Sequence, residues 1–246
     1  MAGHSKWANI KHRKAKEDAK KGKVFTRLIR EITVAARLNP DPSGSPRLRD
    51  AIAKARASNM SGDTIERAVK RGAGAEEGSA LEEVMYEGYG PLGVAILVEC
   101  MTDNRNRTVG EVRHAFSKRG GNLGTDGSVS YLFKKQGMIS FAPGASEDKV
   151  LECALEAGAD DVIVHDDQSI DVVTAHEQFS KIKDVLAVLK PAHADIVMEA
   201  SLKVSLDDVE SAEKVLGLLD ALEELDDVQN VYSNADIPEA VLEKMS

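Results

Sequence analysis

Cysteine is scarce in this 246-residue chain: Cys100 and Cys153 are the only two, and they are far apart. With no CxxC spacing, neither a disulfide framework nor a zinc site is suggested. Aromatics make up 4% of the residues, and Trp7 is the single tryptophan. No apolar run approaches the roughly 18 residues that a membrane span needs. A basic start is not followed by an apolar stretch, so no secretory signal is expected. The six histidines form no HExxH and no close metal-ligand pair. No Ser-His-Asp or Cys-His pattern rises above chance, so no catalytic residue, metal or cofactor is assigned. These absences lead to the expectation of a reduced, cytoplasmic, non-enzymatic globular chain.

What the chain has instead is charge, unevenly distributed. The first 71 residues carry 18 Lys and Arg against 7 Asp and Glu, a net of +11. The remaining 175 carry 14 against 34, a net of −20, so the overall −9 hides a basic head on an acidic body. Such a head attracts polyanions in a salt-dependent way. Asymmetry of this kind points to nucleic acid or membrane contact. Without an apolar segment, nucleic acid is the expected partner, and the acidic body is a possible platform for a protein partner.

Apolar periodicity sets the expected elements. Residues 10 to 22 are almost all charged or small; they favour helix but offer no face to bury, and are expected to be mobile or to order against a partner. Lys23 to Asn39 places Phe25, Leu28, Ile29 and Ile32 on one face of a helix, which Pro40 and Pro42 end. Further helices are expected from Pro46 to Ser58, with Leu48 and Ile52 inward, and from Asp63 to Gly72. In the last of these Asp63 and Glu66 have capping-box spacing, and Ile65 and Val69 face inward. Gly72 to Gly78 reads as a linker.

The period then becomes strand-like. Val84 to Gly88 and Val94 to Cys100 flank a Gly-Pro-Leu-Gly turn and read as a hairpin. Asp103 to Arg119 reads as a helix and Ser128 to Phe133 as a strand. A strand at Met138 to Phe141, a helix at 147–157, strands at 162–165 and 170–174, a helix at 179–189 and a strand at 196–203 follow. That β-α-β-β-α-β order is the split ferredoxin-like arrangement. A final helix, 208–224, and strand, 228–232, lack a sheet of their own. The expected fold is therefore α+β and multidomain. A basic helical domain (1–76) precedes a discontinuous α/β domain (77–134 with 205–246), into which a ferredoxin-like domain (135–204) is inserted.

The candidate nucleic-acid-binding set is drawn from the basic head: Lys6, Trp7, Lys11, His12, Arg13, Lys14, Lys16, Lys20, Lys21, Lys23, Arg27 and Arg30. Lysine and arginine pair with phosphate, and Trp7 either stacks on a base or pins the terminus to the helical domain. Arg105 and Arg107 join the set because arginine at a helix start opposes the dipole. They either hold phosphate or make salt links to Asp103 or Glu111. The glycine-rich 120–127 stretch lacks the Lys-Ser or Lys-Thr of a P-loop and reads as a helix cap and tight turn. His114 reads as partly buried structure.

Three stretches carry a specific resemblance: GHSKWANIKHRKAKEDAKKGKVFTRLIREI, YEGYGPLGVAILVECMTDNRNRTVGEVRHAFSKRGGNLGTDGSVSYLF and VQNVYSN. Over essentially its whole length the chain resembles the YebC/PmpR family of bacterial proteins, which has a mitochondrial translational-activator relative. The resemblance implies three domains, no enzyme activity and a DNA-binding transcriptional regulator. The alternative it leaves open is a ribosome- or messenger-RNA-associated translation factor. No helix-turn-helix, zinc finger or basic zipper favours DNA readout, and no RNP or KH motif favours RNA.

Overall fold

A computed structural model describes residues 21–74 and 81–245. Three helices come first: α1 (Lys21–Leu38), α2 (Pro46–Ala57) and α3 (Gly62–Gly72). They close over Ile32, Ala35, Ala36, Leu48, Ala51, Ile52, Ala55, Met60, Ile65 and Ala68, with Phe25, Leu28, Ile29 and Val69 packed at the margin. Both α2 and α3 begin at a serine cap. Ser45 Oγ accepts from Leu48 N, and Ser61 Oγ from Thr64 N. The expected Asp63–Glu66 box does not form; Ser61 is the cap, and Glu66 pairs instead with Lys70 one turn on, at 2.7 Å. Small residues let α1 and α3 cross closely. A Cβ added at Gly72 would lie 2.2 Å from the Thr33 carbonyl oxygen and 2.8 Å from the Ala36 methyl.

The first sheet has the order β3-β1-β2-β9. It comprises β1 (Glu82–Tyr89), β2 (Ala95–Thr102), β3 (Asn122–Leu123) and β9 (Val228–Ser233). The pairs β1–β2 and β2–β9 are antiparallel, so a strand from near the chain's end lies beside the first hairpin. Helices α4 (Arg105–Lys118) and α7 (Val209–Glu223) cover one face, burying Val112, Phe116, Val215, Leu218 and Leu222 against Ile96 and Val98. A short parallel pair, β8 (Val204–Ser205) with β10 (Ala235–Asp236), and the last helix, α8 (Glu239–Lys244), complete this unit.

The second sheet has the order β5-β6-β4-β7, all antiparallel. Its parts follow along the chain as β4 (Phe133–Phe141), α5 (Glu147–Ala157), β5 (Asp161–Val164), β6 (Ile170–Ala175), α6 (Phe179–Leu186) and β7 (His193–Ala200). This is the expected ferredoxin-like order. The two sheets meet over Ala95, Leu97, Val129 and Phe133, with Met198 and Tyr232 alongside. Both cysteines are free, and burial pushes the Cys100 thiol up to about 12.

One expected strand is absent. Residues 130–132 form a single 3-10 turn, and the strand starts only at Phe133. The cause is Glu87, a buried carboxylate on β1. Its oxygens accept from the amides of Gly127, Val129 and Ser130 at 2.7–2.8 Å. Amides held by a carboxylate cannot join a ladder. The glycine-rich stretch just before them is the expected cap: Gly120 sits at φ +76, and the Gly121 amide returns to Phe116 O at 2.8 Å.

Two substitutions test the helical packing. Ile32 is fully buried, and Ile32→Ala is expected to cost about 2–5 kcal/mol in chemical denaturation. Gly72→Ala must push α1 and α3 apart, so its melting temperature should fall, although alanine favours helix by roughly 1 kcal/mol at an exposed site. A Gly72→Ala protein at least as stable as wild type would show that the crossing is not close.

Candidate nucleic-acid interface

The basic residues of α1 and α2 are largely turned inward, onto the body. The C-terminal end of α7 exposes carbonyls with no helical partner, and α1 supplies cations to them. Lys23 Nζ donates to Glu224 O, and Arg27 Nη2 to Glu223 O at 2.7 Å. Arg30 Nη1 donates to Met101 O at 3.1 Å and to Asp226 O. Positive charge there also suits the negative end of the helix dipole. Further along the same domain, Arg37 donates to Leu81 O at 2.8 Å, and Arg47 bridges Glu31 and Glu83. Arg49 reaches Ser180, Lys54 pairs with Asp195 at 2.9 Å, and Asp50 receives Lys183 at 3.0 Å.

At the centre of this joint lies Asp227, just before β9 and 2% exposed. Its Oδ1 takes Arg30 Nη2 at 2.9 Å, and its Oδ2 takes Arg107 Nη2 at 2.8 Å. The hydroxyls of Thr108 and Thr102 stand 2.6 and 3.1 Å from Oδ2. Burial alone would raise the Asp227 carboxyl. The bonds from Thr108 and Arg107 and the charges of Arg30 and Arg107 outweigh it and hold the group below the usual carboxylate range. Conversely, Asp227 and Asp103 hold the Arg107 guanidinium further into its charged form.

The expected contact residues thus separate. Lys6, Trp7, Lys11, His12, Arg13, Lys14, Lys16 and Lys20 lie outside the described residues, and Lys21 opens α1. Lys23, Arg27 and Arg30, expected at nucleic acid, have intramolecular partners because the end of α7 offers carbonyls and a carboxylate. Arg107 makes the salt link to Asp103, at 2.8 Å, and adds Asp227. Those two carboxylates offset the dipole that arginine opposes at a helix start, and Asn104 Oδ1 caps α4 by accepting from Arg107 N at 3.1 Å. Arg105 is exposed and stands 3.8 Å from Glu82, a loose pair.

Beside the joint a cleft of about 550 Å³ opens between α4 and the end of α7. Arg107, His114, Lys118 and Arg119 line it together with Ala115, Ala221 and Leu225. His114 is exposed rather than partly buried. A second, smaller recess shares Leu225 with the cleft and is lined by Gly22, Lys23, Thr26 and Arg27, where α1 begins. Residues 113–119 hold the cations Arg113, Lys118 and Arg119, and none of these three side chains makes an ion pair or hydrogen bond with another described residue. The sequence did hold a signal for this wall. Positions 107, 111, 114 and 118 recur at helical spacing, and three of the four are basic residue types.

The pattern of the TACO1/YebC protein N-terminal domain matches residues 5–75, and that of the TACO1/YebC second and third domain matches residues 81–235. The chain belongs to the TACO1/YebC family. A relative from Francisella tularensis, named a probable transcriptional regulatory protein, is 64% identical over the whole of both chains. One of the same name from Francisella philomiragia is 62% identical over the same extent. A conserved hypothetical protein from Aquifex aeolicus, solved as a crystal structure, is 51% identical with a TM-score of 0.82 over 95% of this chain and 98% of that one. In this TACO1/YebC chain, among the described residues, no group of three or more His, Cys, Asp or Glu is placed to hold a metal ion, and no helix is long and apolar enough to cross a membrane.

Two expectations follow from the joint. Asp227→Ala leaves Arg30 and Arg107 without their shared carboxylate, and removing one partner of a buried pair costs about 3–5 kcal/mol; the lower end is expected, because Arg107 is half-exposed. Since the folded carboxyl lies below its ordinary value of about 3.9, its contribution is present above that value and is lost as pH falls through the lower, folded one. Denaturation midpoints of Asp227→Asn should therefore fall less steeply below about pH 4 than those of wild type. Separately, Arg107→Ala should lower the melting temperature measurably, whereas Arg105→Ala should leave it nearly unchanged, as for an exposed pair.

Proposed function

We propose that this chain is a DNA-binding transcriptional regulator that makes its main nucleic-acid contact through the basic segment preceding α1. The observation that carries this reading is the division of positive charge. In α1 and α2, Lys23, Arg27, Arg30, Arg37, Arg47, Arg49 and Lys54 bond within the protein. Residues 1–20 carry six Lys and Arg against two Asp and Glu, and the chain enters the described fold beside the cationic cleft. The names of full-length relatives support the regulatory role. The proposed contacts are Lys6, Trp7, Lys11, His12, Arg13, Lys14, Lys16, Lys20, Lys21 and the exposed Arg105, without Lys23, Arg27, Arg30 and Arg107. The same reading includes the domain bounds proposed from the sequence: 1–76, 77–134 with 205–246, and 135–204.

A ribosome- or messenger-RNA-associated factor is the second reading. It stands beside the first because the sequence holds no helix-turn-helix, zinc finger or basic zipper for reading DNA.

The test is a salt titration of binding to duplex DNA and to structured RNA. Replacing Lys11, Arg13, Lys14 and Lys16 with Ala removes up to about four phosphate contacts, so the log-affinity slope on duplex DNA should shrink by roughly 3 to 4. An unchanged slope would overturn the assignment to this segment. Tighter binding to RNA at every salt concentration would favour the second reading.

A further inference from the structure

The cleft between α4 and α7 is open, and its volume suits a single small ligand or one base rather than a duplex. Its floor is apolar, made by Ala115, Ala221 and Leu225. One wall carries His114, Lys118 and Arg119, all exposed, and neither cation has a partner among the described residues. Glu111, one turn before His114 on the same helix, and Glu224, at the end of α7, also line the cleft. We infer that this cleft takes a segment of single-stranded nucleic acid, with phosphates on Lys118 and Arg119 and an unstacked base over the apolar floor. This rests on the proposal that the chain binds nucleic acid, and goes beyond it in naming a second site and the form of strand it accepts.

Each feature fits that ligand. A positive wall beside an apolar floor follows both the backbone and the base of a single strand. A duplex keeps its bases paired inside and presents only phosphate to such a cleft. No aromatic lines it, but imidazole and guanidinium planes also stack on bases, and His114 and Arg119 supply one of each. Glu111 lies toward the start of α4 and Lys118 at its end, so phosphate is drawn to the Lys118 end of this wall, while the carboxylates of Glu111 and Glu224 accept from base amino groups. The recess where α1 begins shares Leu225 with the cleft. The start of α1, which follows the basic residues 1–20 in sequence, thus lies beside the cleft.

The experiment uses the full chain with labelled DNA and RNA strands of about 12 nucleotides and a duplex for comparison. Lys118→Glu combined with Arg119→Glu should weaken single-strand binding at least about tenfold and reduce its salt slope by roughly 1.4. The duplex should lose much less. Lys149→Glu with Lys181→Glu, the same charge change on exposed cations of α5 and α6, should lose little with either. Equal losses in the two double variants, or equal losses for strand and duplex, would overturn the inference. Wild-type protein irradiated with a thiouridine-substituted strand gives a reading that no variant can disturb. Adducts are expected within residues 107–119 or 221–225, and adducts confined to residues 1–30 would overturn the site. If the wild type binds the duplex and loses it with the four-residue alanine variant, while the cleft readings match the control, only this inference falls. If the wild type binds no nucleic acid at all, the proposed function falls with it.

Discussion

The carboxylate of Asp227 is the point on which the arrangement of the parts depends. It stands at the start of β9, with Arg30 from α1 on one oxygen and Arg107, Thr102 and Thr108 on the other. A buried carboxylate without donors would cost several kcal/mol. With two cations and two hydroxyls it is stable only if α1, β2, α4 and β9 all arrive together. Its own carbonyl accepts from Met101 N at 2.8 Å, so backbone and side chain of one residue fasten the edge of the first sheet. The specificity of the joint comes from this mutual requirement more than from any large net energy.

The same physics explains where the positive charge of the head goes. Seven of the cations in α1 and α2 meet carbonyls, a hydroxyl or carboxylates within the protein, many of them on the acidic body. Some pairs are exposed, such as Lys54–Asp195, and exposed pairs contribute little individually and weaken in salt. The two sheets, in contrast, meet over apolar side chains. The helical domain is thus held to the body by polar bonds, and the two α/β parts are held to each other by burial. Salt should loosen the first kind of joint well before the second.

The joint also shapes the surface around the cleft. Because Lys23 and Arg27 bind the last carbonyls of α7, the start of α1 is held beside Leu225. With Arg107 drawn to Asp227, the cations left without a partner among the described residues lie further along α4, at Arg113 and Lys118, with Arg119 just beyond. The end of α4 thus presents cations on a body that is otherwise acidic.

Periodicity by itself determined most of the elements, since apolar spacing in α1, α2 and α4 and alternation in β2 and β6 depend only on neighbouring residues. The β-α-β-β-α-β order was legible for the same reason, and whole-length motifs carried the family. Local pattern failed where a distant side chain decided the outcome. Residues 130–132 form a turn because Glu87, over 40 positions earlier, takes the amides around them. Lys23, Arg27 and Arg30 resemble any exposed basic stripe in sequence; only the fold places the end of α7 against them. Likewise His114 shared a helix with Val112 and Phe116, yet a helix has several faces, and only packing shows which is left open. Charge along a chain is additive and can be counted, but whether a cation meets solvent, a partner or a carbonyl of its own protein is set by long-range contacts that no local window contains.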